Sequence, residues 1–259
     1  MKKDLVIKNF ECGNEVKDIT LSISPITFLV GPDSKVVDQV VNACDTRIHN
    51  EGTFQDHLDD LIGWFMDNNG YLMDDDEPLE FTNFWIKRLG IGETAYFSKR
   101  KYSSRSLLMI EKCGKQFPIY ELSRQQFYLL GILLNIDFRK TMFNTKIFGF
   151  FDPEIHLYPA DQSVLADIFY DAYLTYDMWF VIETQSEYLI RKSQVIVAEE
   201  NYETIEELEE KCPFTTYYVP DQSTGELPYA LGYRRDGLFK KSFGNGFYDE
   251  AYNLLTKIL

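Results

Sequence analysis

The stretches that decide the fold are Lys146-Ile-Phe-Gly-Phe-Phe-Asp-Pro-Glu-Ile-His-Leu-Tyr-Pro159 and Phe180-Val-Ile-Glu-Thr-Gln-Ser-Glu-Tyr-Leu189. Each opens with a short apolar run and passes into acidic and polar residues, which is typical of a buried strand and the turn that follows it. We predict strands at Ile147–Phe151 and Trp179–Glu183, linked by a helix over Gln162–Tyr173. A right-handed crossover would bring both strand ends to one edge of a sheet, where the ligands of such sheets bind.

The N-terminal part adds two further strands. Leu5–Phe10 alternates apolar and polar residues, as a half-buried strand does. Residues 27–30 complete a short apolar run that ends in Gly31-Pro-Asp33, and we expect this strand to join the same sheet. Farther along, Phe81–Leu89 has the composition of a short helix and Glu93–Ile110 contains candidate strands.

Together these patterns resemble the small bacterial ABC-class, AAA-type ATPases that are related to the OLD (overcoming lysogenization defect) proteins and to SMC heads. In that family a strand ends in two acids and continues as Pro-Glu-x-His-Leu-His-Pro, and a later strand ends in Glu-Thr-His-Ser-Glu. Here Phe151 stands in place of the first acid, Asp152 in place of the water-activating glutamate, and Gln185 in place of the switch histidine. The resemblance implies an α/β head with a central, mostly parallel sheet, an N-terminal antiparallel β portion and a small helical lobe.

The phosphate loop departs most from the family pattern. A working loop has glycine, four residues, then Gly-Lys-Ser/Thr, so that backbone amides and lysine hold the phosphates and the hydroxyl binds Mg²⁺. Counted from Gly31 without a gap, the last three slots hold Val36, Val37 and Asp38. A deletion of two residues would instead put Ser34 in the glycine slot and Lys35 in the lysine slot. Gly31, Ser34 and Lys35 are therefore the candidate nucleotide-binding residues of this loop.

A counterpart of the ABC signature Leu-Ser-Gly-Gly-Gln occurs at Leu122-Ser-Arg-Gln-Gln126. Arg124 and Gln125 replace the two glycines, which in the family let the loop approach a triphosphate held by a second subunit. The resemblance makes Ser123 a further nucleotide-binding candidate. The same residues also have the pattern of a capping box, in which Ser123 and Gln126 begin a helix, so both interpretations stay open.

Phosphoryl transfer needs Mg²⁺ and a polar group that positions water, and phenylalanine supplies neither. We therefore regard Asp152, Glu154, Glu183 and Gln185 as vestigial catalytic candidates. The leading hypothesis is a degenerate ATPase homolog that binds another protein in a bacterial defence or stress system. In one alternative the chain is an active ATPase that uses ATP and Mg²⁺, with Lys35 on the phosphates. In another it is a sensor that binds nucleotide without hydrolysis.

Composition limits the remaining possibilities. The 259 residues are 45% hydrophobic, which suits one large domain or a head with an insertion. The resemblance implies that residues 50–118 are the variable lobe of a single domain over 1–259. The net charge of -15 disfavours nucleic acid as a partner. Scattered cysteines and histidines predict no metal site, and we assign no firm cofactor. The lack of a leader or a long apolar run favours a cytoplasmic protein without a membrane span. We expect it to bind a protein partner or to form a homodimer or heterodimer.

Two charged segments near the C-terminus are also notable. Residues 199–210 contain a dense run of glutamates that could form an exposed helix and bind a basic partner. Basic pairs follow at Arg234-Arg235 and at Lys240-Lys241. Such charge runs are usually solvated surface.

Overall fold

The computed structural model describes residues 2–12, 15–32, 46–48, 79–99, 106–140, 147–244, 247, 254 and 256–257. They belong to two compact units, one formed by Met1–His49 with Asn144–Leu259 and the other by Asn50–Phe143. The predicted lobe over residues 50–118 falls within the second unit. The sequence also favours a helix at 36–43, after the phosphate loop, and helical spacing of apolar residues over 54–71, but both segments lie outside the described residues.

In chain order the strands are β1 (Lys3–Cys12), β2 (Glu15–Ile23), β3 (Ile26–Val30), β4 (Thr46–Ile48), β5 (Thr94–Lys99), β6 (Ser106–Lys112), β7 (Lys115–Pro118), β8 (Ile147–Phe151), β9 (Trp179–Glu183), β10 (Phe214–Tyr218) and β11 (Tyr229–Ala230). The helices are α1 (Glu80–Arg88), α2 (Arg124–Arg139), α3 (Pro159–Tyr176), α4 (Glu187–Glu199) and α5 (Ile205–Lys211).

The first unit is built on a central sheet with the strand order β11-β10-β3-β9-β8-β4. Neighbouring strands run parallel except for β11, which is antiparallel to β10. All residues of β3 and β9 are buried, as expected for inner strands that are covered on both faces. This arrangement confirms the predicted mostly parallel sheet and the three strands that were expected to form its centre.

The two faces of this sheet are covered differently. On one face, the antiparallel hairpin of β1 and β2 packs its apolar residues against alternate sheet residues, and Phe151 contacts this hydrophobic cluster. On the other face, the ring of Phe169 in α3 lies 5.1 Å from that of Phe150 and 5.0 Å from that of Phe180. Burial of each such side chain contributes about 1.5 to 3 kcal/mol. The hairpin confirms the predicted N-terminal antiparallel portion.

In the part of the second unit that the structure describes, the helices α1 and α2 accompany an antiparallel sheet of order β5-β6-β7. The buried carboxylate of Asp137 accepts a hydrogen bond of 2.8 Å from the backbone N–H of Thr82 at the start of α1. The side-chain oxygen of Asn83 accepts one of 2.7 Å from the N–H of Ala95, which joins α1 to β5. The helix and strands expected in this region are confirmed, whereas β7 was not predicted.

Candidate functional site

The carboxyl ends of the parallel strands meet at one edge of the central sheet. Glu183 at the end of β9 is in register with Leu29 of β3 on one side and with Phe151 of β8 on the other. Backbone hydrogen bonds continue past the strands, from Asp152 N–H to the Glu183 carbonyl at 3.1 Å and from Thr184 N–H to the Leu29 carbonyl at 3.1 Å. These bonds extend the ladder by one residue and fix where each turn begins.

Glu154 is one of two buried acids at this edge, with Glu183. It is 7% exposed, and its Oε1 accepts a hydrogen bond of 2.6 Å from the Thr184 hydroxyl and one of 2.8 Å from the Gln185 backbone N–H. Its Oε2 is buried and has no hydrogen-bond partner. Glu154 therefore ties the turn after β8 to the turn after β9 and keeps one oxygen unused.

Burial raises the pKa of Glu154 above its ordinary value, because a charged carboxylate is poorly solvated there. The hydrogen bonds from Thr184 and from the Gln185 backbone oppose this rise, and the negative charge of Asp152 adds to it. Burial also raises the pKa of Asp152 itself. The two acids thus bind protons more tightly than exposed carboxylates do.

Asp152 has an uncommon backbone conformation at the end of β8. Its φ of 40° lies in the left-handed region, which aspartate and asparagine tolerate better than most residues do. The carbonyl of Asp152 accepts a hydrogen bond of 3.0 Å from Ile155 N–H, which closes the turn that carries Glu154. An acid or amide is therefore suited to this position for conformational reasons alone.

Gln185 connects the ends of β9 and β3 through its side chain. Its Nε2 donates a hydrogen bond of 2.9 Å to the backbone carbonyl of Gly31. The next residue, Ser186, begins α4: its hydroxyl accepts a hydrogen bond of 3.1 Å from Leu189 N–H and donates one of 2.6 Å to Gln162 Oε1 in α3. The sequence Thr-Gln-Ser after β9 thereby holds three neighbouring elements together.

Gly31 is required at its position by close packing. A Cβ atom there would lie 1.9 Å from the carbonyl oxygen of Val219, the residue that follows β10. The strand end can therefore approach the neighbouring backbone only without a side chain. This steric requirement explains why glycine stands here independently of any role in binding phosphate.

Phe151, which the sequence resemblance aligns with the first acid of the ABC-class ATPases, packs against the cluster under the β1–β2 hairpin. Glu183, its neighbour in register, is 7% exposed. The slot that would present a carboxylate to a metal is thus part of the apolar packing. Among the residues that the structure describes, no group of three or more histidine, cysteine, aspartate or glutamate side chains could hold a metal ion.

The structure brings Gly31, Asp152, Glu154, Glu183 and Gln185 to one sheet edge. Ser34 and Lys35 lie outside the described residues. Ser123 belongs to the second unit, where the predicted capping box is confirmed: its hydroxyl accepts a hydrogen bond of 3.3 Å from Gln126 N–H, and Gln126 Oε1 accepts one of 3.2 Å from Ser123 N–H. Sequence reasoning missed Thr184, Ser186 and Gln162 as partners, although the hydroxyls of Thr184 and Ser186 are part of the quoted motif.

Solved structures of low sequence identity share this architecture. The SMC head domain from Thermotoga maritima matches with a TM-score of 0.51 and 10% identity over 90% of this chain and 99% of that one. An SMC head bound to the C-terminal winged-helix domain of ScpA matches with a TM-score of 0.54 and 10% identity over 89% and 97%. The chain has an SMC-head-like ATPase fold. No protein-family model and no curated protein matches the sequence.

A third similar structure is MJ1267, an ATP-binding cassette of an ABC transporter in its ADP conformation, with a TM-score of 0.41 and 12% identity over 73% of this SMC-head-like chain and 85% of the cassette. The helices of the SMC-head-like chain that the structure describes include none that is long and apolar enough to cross a membrane.

Proposed function

We propose that this SMC-head-like chain is a catalytically degenerate ATPase homolog that acts by binding another protein. The observation that carries the proposal is the bonding of Glu154 and Gln185. One oxygen of Glu154 is engaged by Thr184 and by the Gln185 backbone, and the Gln185 amide is engaged by the Gly31 carbonyl. In this arrangement Glu154 Oε1 and the Gln185 amide stabilise the strand ends and are already engaged, so neither is available to a phosphate or to water.

The replacement of the first acid supports the same proposal. ABC-type chemistry depends on carboxylates that hold Mg²⁺ directly or through water, and Phe151 packs against apolar side chains at that position. A phenylalanine there also lowers the polarity around Asp152, whose pKa burial already raises. Both effects disfavour the charged form of Asp152, which is the form that binds Mg²⁺.

Exposed apolar side chains at the same edge favour a protein ligand. Ile155 and Tyr158 follow β8 and are 55% and 72% exposed, and Tyr188 in the first turn of α4 is 49% exposed. Tyrosine is enriched at the centres of protein interfaces because it combines apolar area with a hydroxyl that can form hydrogen bonds. We propose that a partner protein covers these side chains, either a second head or an effector.

The wider setting of the proposal rests on analogy. One similar structure is an SMC head bound to the winged-helix domain of ScpA, and by analogy this chain would serve as a regulatory subunit in a bacterial defence or stress system. We further propose that residues 1–259 work as one cytoplasmic head with the 50–118 lobe as its variable part. A net charge of -15 makes nucleic acid an improbable direct ligand.

Calorimetric titration with a non-hydrolysable ATP analogue and Mg²⁺ tests the proposal. We expect no binding heat and no change in melting temperature at concentrations up to about 1 mM, which corresponds to a binding free energy weaker than about -4 kcal/mol. Micromolar binding would contradict the loss of the nucleotide site. A parallel titration with Lys35→Ala separates binding at the loop from binding elsewhere.

One observation favours a second candidate function. Glu154 Oε2 is buried without a hydrogen-bond partner, and Asp152 lies close enough for its charge to raise the pKa of Glu154. In an active divergent ATPase these two acids would share the metal and base roles while Lys35 binds phosphate. Mg²⁺-dependent phosphate release that is lost in Asp152→Asn would support this candidate. Nucleotide binding without turnover would support a sensor.

A further inference from the structure

A pocket of about 330 Å³ lies between α5 and the turn that follows β11. Its lining consists of Ile205, Leu208, Arg234, Arg235, Asp236 and Lys240. Helix α5 ends just before β10 begins, and Phe214 at the start of β10 pairs with Ile26 at the start of β3. The pocket therefore lies toward the edge where the parallel strands begin, opposite the edge that carries Glu154 and Gln185.

The wall formed by the turn is held in a defined shape. Arg234 N–H donates a hydrogen bond of 2.7 Å to the Leu238 carbonyl, and Gly237 N–H donates one of 2.9 Å to the Arg234 carbonyl. Gly237 has a φ of 79°, and a Cβ there would lie 2.1 Å from the carbonyl oxygen of Gln194 in α4. Close contact of the turn with α4 thus fixes the arginines on the pocket rim.

The charges of the pocket are unequal. Asp236 pairs with Arg234 at 2.7 Å, and Glu209 of α5 pairs with Lys240 at 2.8 Å. Arg235 donates a hydrogen bond to the backbone carbonyl of Glu203 and pairs with no carboxylate among the residues described. Because guanidinium has five N–H donors in a planar fork, most of the hydrogen-bonding capacity of Arg235 is available to an anion.

These contacts change the interpretation of the acidic segment at 199–210. The sequence suggested that it could bind a basic partner protein. In the structure its helix α5 lies beside the basic residues of the same chain, through the Lys240–Glu209 ion pair and the bond of Arg235 to Glu203. Intrachain ion pairs and hydrogen bonds therefore engage residues of both charged segments. Among the residues described, Arg235 is left without a carboxylate partner beside the apolar side chains of Ile205 and Leu208.

We propose that this pocket binds a peptide segment of a partner protein in which an apolar side chain stands next to an acidic residue. The apolar side chain would enter the space beside Ile205 and Leu208. The neighbouring carboxylate would form a bidentate pair with Arg235. This combination of an apolar anchor and an arginine is the one found at the centres of protein interfaces.

Size and surroundings favour a peptide over a small molecule. Pockets for drug-sized ligands enclose most of the ligand and span about 300 to 1,000 Å³, so a volume of 330 Å³ is at the lower limit. Apolar surface also continues beyond the pocket, since Ile205 is 55% exposed and Leu238 on the same turn is 54% exposed. An extended peptide presents successive side chains, so it can contact apolar surface both inside the pocket and outside its lining. The inference stands whether or not the other edge binds nucleotide.

The experiment compares two fluorescent peptides on the full chain, Asp-Leu-Glu-Leu-Asp and Lys-Leu-Lys-Leu-Lys, by fluorescence anisotropy. We expect the acidic peptide to bind and the basic one to bind at least about tenfold more weakly, the factor that a charge-assisted pair of about 1.4 kcal/mol gives. Arg235→Glu should weaken the acidic peptide by at least about tenfold and strengthen the basic one. Ile205→Asp should weaken the acidic peptide while the melting temperature stays unchanged.

Arg191→Glu provides the matched control, since Arg191 is an exposed arginine on α4 that lies outside the pocket lining. It should leave the affinity for the acidic peptide within about twofold of the unsubstituted chain. Absence of binding by the acidic peptide, or equal affinity in Arg235→Glu, overturns the proposal. Full competition by hexanoate would assign the pocket to a small carboxylate instead. Self-association that Arg235→Glu abolishes in sedimentation would assign it to a second copy of the chain.

Discussion

The side-chain amide of Gln185 donates a 2.9 Å hydrogen bond to the backbone carbonyl of Gly31. This bond joins the end of β9 to the end of β3, at the position where the ATPases that the sequence resembles have a histidine. Glutamine has no titration near neutral pH, so it cannot take part in proton transfer as histidine can. The bond therefore serves the packing of the two strand ends.

Gln185→Ala should lower the free energy of unfolding by about 0.5 to 1.5 kcal/mol, because one partly exposed hydrogen bond is lost. Gln185→Glu should cost at least as much, since a carboxylate cannot donate to the Gly31 carbonyl. Urea denaturation measures both. If neither variant changed the unfolding midpoint, the bond would have no stabilising role.

Gly31→Ala should destabilise the chain by about 1 to 3 kcal/mol or prevent its folding, because overpacking against backbone cannot be relieved by a change of rotamer. The added Cβ would meet the Val219 carbonyl oxygen at 1.9 Å. Gly131→Ala is the matched control: nothing lies within 4 Å of its Cβ position, and it is inside α2. Alanine in a helix interior should stabilise by about 0.5 to 1 kcal/mol. Thermal melts of both variants should therefore shift in opposite directions.

Glu154→Ala should destabilise by about 1 to 3 kcal/mol, because the buried Thr184 hydroxyl loses its acceptor. The partly buried Gln185 N–H also loses its acceptor and adds a smaller cost. Glu154→Gln keeps an oxygen for both and resembles the protonated acid. It should retain the stability of the unsubstituted chain or increase it at pH 7.5, as urea denaturation of both variants can test.

The pH dependence of Glu154→Gln has a definite sign. Burial raises the pKa of Glu154 in the folded state above its ordinary 4.5. The stabilising contribution of its protonated form is therefore present below pH 4.5 and is lost as the pH rises through the raised pKa. The free energy of unfolding of Glu154→Gln should therefore exceed that of the unsubstituted chain by a margin that grows as the pH rises. A margin that shrinks with rising pH would contradict a raised pKa.

Much of the fold followed from local pattern. Apolar runs at β3, β8 and β9 and the capping box at Ser123 are short-range signals, and the structure agrees with them. The bonding of Glu154 could not be predicted, because the positions of Thr184 and the Gln185 N–H depend on the register of β8 against β9. The steric role of Gly31 likewise depends on β10, which is distant in sequence. Long-range contacts set these features, and local propensity does not report on them.

The pocket at Arg235 could not be predicted from the sequence either. The sequence marked 199–210 as acidic and Arg234-Arg235 as basic, and each looked like solvated surface. Only the fold places α5 beside the turn and pairs Glu209 with Lys240 and Asp236 with Arg234. These ion pairs decide which basic side chain can still bind a ligand, and the net charge of the segment does not.

Phe151→Asp restores the family's first acid and tests whether its loss alone explains a degenerate site. Phe151 packs against the cluster beneath the β1–β2 hairpin, so an aspartate there should destabilise the chain by about 2 kcal/mol or more through lost burial and a poorly solvated charge. Phe151→Leu keeps an apolar side chain and should cost less than about 1.5 kcal/mol. Neither variant should release phosphate from ATP and Mg²⁺, because Phe151→Asp leaves the engaged Gln185 amide and the altered phosphate loop unchanged. Turnover in Phe151→Asp alone would mean that the rest of the site is intact, and the proposed pseudoenzyme would be wrong.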